Sequence, residues 1–216
     1  MTDRWLYHSS PFILLVLFWE LLARVIHEPL ILPPFSAVLV RAFSPVYAYH
    51  LGSTLAFSLL GLLIVSLVGL PLGMLMRRFK KADWALNPFF RFLLFAFGFG
   101  TTGIAPLLIL WFGLTQRALF VHALVIPVLV VALISGYSAR LTAVRVGFLL
   151  CWSFRIGGEM VLGAPITGIG YHLSQCYGLH DMEMMYALML IMGFTGLFVD
   201  RVLTYVGTAV PRYIRN

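Results

Sequence analysis

The run GSTLAFSLLGLLIVSLVGLPLGMLMRRFKKADW, Gly52–Trp84, holds two messages in sequence. From Gly52 to Met76 it contains no charged residue, and then Arg77, Arg78, Lys80 and Lys81 arrive within five positions. A helix needs about 20 apolar residues to cross roughly 30 Å of hydrocarbon, so the first part reads as a membrane span. The second part reads as the cytoplasmic flank at which insertion stops, because positive charge is retained on that side.

Outward from this segment the same pattern repeats. Apolar stretches at residues 11–27, 52–76, 89–114, 118–137, 141–163 and 184–206 predict about six transmembrane helices. The composition agrees: of 216 residues 61% are hydrophobic and 11% charged, with mean hydropathy +0.97. A soluble domain of that balance could not cover its own surface. The alternating polarity of a membrane β-barrel is absent, so the fold class is all-α and polytopic, one transmembrane domain over residues 1–216. Between the first two spans, LILPPFSAVLVRAF pairs two prolines with Ser36, which predicts a short interfacial helix near residues 34–43 on the outer surface.

Alternation from the basic loop places Arg4, Arg140, Arg145, Arg212 and Arg215 inside, with both termini cytoplasmic. The outer side receives Arg24, Arg41 and Arg117, and the fifth connection, residues 163–183, has no lysine or arginine. The formal net charge of +7 is thereby explained by insertion and by contact with anionic lipid. No basic module interleaved with aromatics exists to bind nucleic acid. Glu20 and Arg24 interrupt the first apolar segment, which reads as a retained helix rather than a cleaved signal.

Several residues invite chemistry. Arg155 and Glu159 stand one helical turn apart inside the fifth span, where charges must pair and face protein or a wet cavity. Glu20 and Arg24 repeat the spacing near the outer end of the first span, where side chains can snorkel. The segment FGFGTTGIAP puts Gly98, Gly100, Thr101, Thr102 and Gly103 at membrane depth, where irregular backbone lines a pathway or admits a neighbouring helix. GLPLG, around Pro71, is a kink-prone, small-residue surface that suits helix packing, with a gating hinge as the alternative. His172, Cys176 and His180 fall at i, i+4 and i+8, a weak metal-ligand stripe that Gly178 interrupts, so the expected state is a solvated loop without metal. Cys151 and Cys176 are too far apart topologically for a disulfide framework. No nucleophile elbow, phosphate loop or catalytic carboxylate pair occurs, so no enzyme and no cofactor is expected.

IAPLLILWFGL, Ile104–Leu114, together with LPPFSAVLVRAF, GLPLGMLMRRF, GEMVLGAPITGIGY and LFVDRVL, resembles the permease subunits of bacterial ABC importers of the nitrate, sulfonate and taurine class. Five segments match in order across most of residues 15–205. Glu159 and Met160 correspond to a glutamate-methionine pair of the family's fifth helix. Gly168, Gly170 and Tyr171 correspond to the outer segment that follows, and Asp200 and Arg201 to the end of the sixth helix. Arg155 departs from the family, which carries an apolar residue there, and FGFGTT replaces a proline-rich segment.

The resemblance implies a type I importer permease in the bacterial inner membrane. Such a subunit pairs with a second permease, as a homo- or heterodimer, and takes a small anionic solute from an extracytoplasmic binding protein while a separate ATPase hydrolyses ATP. It also exposes one difference. In these permeases a long fourth cytoplasmic segment with a glutamate-alanine-alanine motif docks in the ATPase. Here GYSARLTAVR, Gly136–Arg145, joins the fourth and fifth spans directly, with Ser138, Arg140 and Arg145 where the docking element is expected. Two functions follow: a permease whose partner carries the ATPase contact, or a former permease serving as a structural subunit of an unrelated membrane complex.

Overall fold

The computed structural model describes residues 2–97, 103–137, 140–163 and 168–209. Its elements are α1 (Thr2–Ile26), α2 (Phe35–Ala42), α3 (Ala48–Arg78), α4 (Lys80–Phe97), α5 (Ala105–Phe112), α6 (Gln116–Tyr137), α7 (Arg140–Leu162), α8 (Ile169–Gly178) and α9 (Met182–Ala209). Four helices among the described residues are long and apolar enough to cross a membrane: Pro45–Arg78, Gln116–Gly136, Arg140–Val161 and Met182–Ala209. Leu63 and Leu67 on α3 and Phe194 and Phe198 on α9 are exposed, large and apolar. Such faces suit hydrocarbon and not water. The chain is a polytopic helical membrane protein.

The helices group into two compact units, Tyr47–His172 with Phe194–Asn216, and Met1–Val46 with Leu173–Gly193. In the larger unit α3, α6 and α7 pack against one another. α6 is the most enclosed, with 56% of its apolar window buried against 28% for α3. Close approach depends on glycine. A Cβ on Gly73 of α3 would collide with Ser135 Oγ and the Ala132 carbonyl oxygen of α6, and one on Gly147 of α7 would lie 2.8 Å from Val131 Cγ2. In hydrocarbon, where no hydrophobic effect drives helices together, such backbone proximity supplies the van der Waals attraction. The GLPLG segment is thus a packing surface, and α3 runs unbroken through Pro71. Phe90 and Leu94 of α4 complete a core with Met76, Ile126 and Phe154.

The span expected at residues 89–114 is not one helix. α4 begins at Lys80, and its first three turns carry a polar ladder in which Asn87 Nδ2 donates to Asp83 Oδ1 (3.3 Å) and Arg91 Nε donates to Asn87 Oδ1 (2.7 Å). α5 is separate and has eight residues, about 12 Å of helix, too short to cross. Pro106 in its first turn favours a helix start there, and Gly113, with φ 68°, closes it by donating its N–H to the Ile109 carbonyl.

In the smaller unit, α2 occupies the place expected for the interfacial helix. Trp19 Nε1 donates to the Pro33 carbonyl (3.0 Å), and the Trp19 ring stands edge-on to Phe35. Glu20 accepts from the Ser36 backbone N–H (3.1 Å) and from Arg24 Nη2 (2.7 Å). The fifth connection is not an open loop. It contains α8, whose Leu173 and Cys176 are buried.

Candidate functional site

Near the C-terminal end of α7, Arg155 and Glu159 share one face and are 0% and 2% exposed. Arg155 Nε donates to Glu159 Oε1 at 2.7 Å, and Arg155 Nη2 donates to Gln116 Oε1 at the start of α6 at 2.9 Å. The guanidinium carbon lies 4.5 Å over the Phe57 ring. A bare charge at this depth would be costly, and the ion pair with its ring cover meets much of that cost.

The carboxylate does more than neutralise arginine. Glu159 Oε2 accepts the Gly170 backbone N–H (3.0 Å), Thr54 Oγ1 donates to the carboxylate (3.0 Å) and accepts the Ile169 backbone N–H (3.0 Å). Ile169 and Gly170 open α8, and the first N–H groups of any helix lack intrahelical acceptors. A carboxylate from α7 and a hydroxyl from α3 therefore cap α8 in trans, with negative charge at the positive end of its dipole. Glycine is needed on this contact. A Cβ on Gly168 would strike the Glu159 carboxylate, and one on Gly170 would strike the Ile156 carbonyl oxygen.

One turn from Thr54 on α3, His50 meets His172 of α8 edge-on, with ring centroids 4.0 Å apart, and Tyr47 contacts His172 at 5.4 Å. His172 thus lies within an aromatic cluster. His180 follows the end of α8 with φ 59°, and burial, reinforced by the Asp181 carboxylate, pushes the Cys176 thiol up, away from the thiolate a metal requires. No group of three or more metal-ligating side chains occurs among the described residues.

Thr101, Thr102 and Ser138 lie outside the described residues. Arg140 opens α7 directly after α6, which ends at Tyr137. Arg145 forms a bidentate pair with Asp200 of α9, both bonds 2.7 Å. It joins two helices, a role that charge counting cannot see. Thr54, Gln116 and Phe57 also went unnoticed in the sequence. Thr54 and Ser58, one turn apart on the buried face of α3, were the available signal. His122, fully buried with Nδ1 3.2 Å from the Phe154 carbonyl oxygen, was another.

No protein-family model matches the chain. An archaeal protein of Methanocaldococcus jannaschii, named as an ABC transporter permease protein, is 28% identical over 89% of this chain and 86% of its own length. That alignment runs to 236 positions, longer than this chain of 216 residues, so the relative has residues without a counterpart here. The formylaminopyrimidine transport permease protein of Halalkalibacterium halodurans is 30% identical over 47% of this chain and 41% of its own length. Both relatives are named as transport permeases and not as enzymes. The chain is a multi-pass helical membrane protein similar to ABC transporter permeases.

Proposed function

We propose that the chain is one permease subunit of an ABC importer in the inner membrane, built from about six spans with both termini cytoplasmic, and that it works beside a second permease that carries the ATPase contact. The observation that carries this reading is similarity to a named permease along 89% of the chain. The heterodimer follows from the junction between α6 and α7: α6 reaches Tyr137 and α7 begins at Arg140, which leaves no length for a docking helix. A relative with extra residues is compatible with such a deletion. Coupling needs a contact whose free energy differs between conformations, and a partner must supply it.

The family resemblance favours a small anionic solute, whereas one relative is named for a formylaminopyrimidine. A test is native purification in mild detergent followed by uptake in proteoliposomes. The expected result is stoichiometric recovery of an ATPase and a permease with a longer connection between the corresponding helices, together with ATP-dependent uptake. The same short junction favours a second reading, a structural subunit. Tight retention in a membrane assembly that contains no ATPase would select it and reject the importer.

A further inference from the structure

Arg155 has five N–H donors, of which Nε is committed to Glu159 and Nη2 to Gln116. Nη1 is buried and has no hydrogen-bond acceptor among the described residues. Buried charged donors are rarely left so, and those that are call for a ligand or solvent. The neighbouring carboxylate cannot swing to help without loss, because its oxygens already accept from Arg155, Thr54 and Gly170.

Charge decides what kind of acceptor fits. Arg155 and Glu159 sum to zero, so a neutral acceptor leaves the buried site neutral, whereas a monoanion adds an uncompensated negative charge in a low-dielectric surrounding. The guanidinium lies over the Phe57 ring, which stands edge-to-face with Phe120 at 6.2 Å, so apolar aromatic carbon borders the donor and favours a planar acceptor over a hydrated ion. We infer that Arg155 Nη1 is a solute-recognition donor for a neutral planar acceptor, a carbonyl oxygen or a pyridine-type ring nitrogen. The physiological meaning rests on the permease reading above, but the chemistry of the site is open to direct test.

The probes are formamide and formate, nearly equal in shape and differing in charge. The full chain, labelled with 15N-arginine and held in lipid nanodiscs, is titrated with each while the guanidinium resonances are followed. Formamide is expected to shift the Arg155 signal saturably, with formate weaker by about tenfold or more, and Arg155→Lys is expected to weaken formamide by about tenfold, the loss of one charge-assisted hydrogen bond. The absence of a saturable formamide shift overturns the inference, as does tighter formate binding. Unchanged formamide affinity in Arg155→Lys does so too. Should that variant misfold, the contrast between the probes on the wild-type chain remains decisive. Failure to find an ATPase partner would sink the importer reading and leave this contrast intact, and an importing complex without the contrast would sink only this inference.

Discussion

Two carboxylates, Glu20 and Glu159, have the same local sequence grammar and different environments. Each is separated by one turn from an arginine on its own helix, Arg24 four residues after Glu20 and Arg155 four residues before Glu159. Each also accepts a backbone N–H from the first turn of another helix, Ser36 of α2 or Gly170 of α8. The α1 pair is open, with side chains 23% and 70% exposed for Glu20 and Arg24, while the α7 pair is sealed at 2% and 0%. Spacing predicts that such residues meet. Burial decides what the meeting is worth, because water screens the first pair and nothing replaces the partner of the second.

The largest expected effect breaks the sealed pair. Glu159→Leu leaves the Arg155 guanidinium uncompensated and also removes the acceptor for Gly170, so stability should fall by about 3–5 kcal/mol. Arg155→Leu strands the carboxylate at comparable cost. The double replacement should cost less than either single change, since no charge then remains buried. Unfolding of purified protein in mixed detergent micelles measures this, and additive losses would show that the two side chains are not coupled.

Next in size is the glycine contact that lets α8 reach its cap. Gly170→Ala puts a methyl group against the Ile156 carbonyl oxygen, and Gly168→Ala puts one against Glu159. Each should cost about 1–3 kcal/mol through displacement of packed groups. Proteolysis within α8 should accelerate in both. A substitution at Gly178, where a Cβ has open space, serves as the control, and equal sensitivity at all three sites would reject the close approach.

Much of the architecture was legible because hydrocarbon imposes length and polarity on every span. α3, α6, α7 and α9 correspond to four of the six apolar runs read from sequence, and α2 begins beside Pro34 and Ser36. The third run, residues 89–114, is divided between α4, which ends at Phe97, and α5, which begins at Ala105. α4 starts earlier, at Lys80, and its Asp83, Asn87 and Arg91 form a ladder of which only Arg91 lies in the apolar run. At the site, the i, i+4 spacing named Arg155 and Glu159. Thr54 and Gln116, 105 and 39 residues away from their partners in the chain, are joined to them only by tertiary packing. The trans cap of α8 was hidden for the same reason, because its acceptors, Glu159 and Thr54, come from other helices.

The smallest effects belong to the open pair and sharpen the comparison from its other end. Arg24 is mostly exposed, so Arg24→Ala should leave unfolding within the error of the wild-type measurement. Glu20 differs from Arg24 because it also holds the Ser36 N–H and hydroxyl. Glu20→Ala should therefore act locally, raising hydrogen exchange at the Ser36 amide and along the first turn of α2 while the amides of α3 and α6 keep their protection. Glu20→Gln retains an acceptor oxygen without the charge and should restore most of that protection, which separates the cap from the ion pair. If Arg24→Ala loosened α2 as much as Glu20→Ala did, the ion pair and not the cap would be holding that helix. The parallel with Glu159 would then fail.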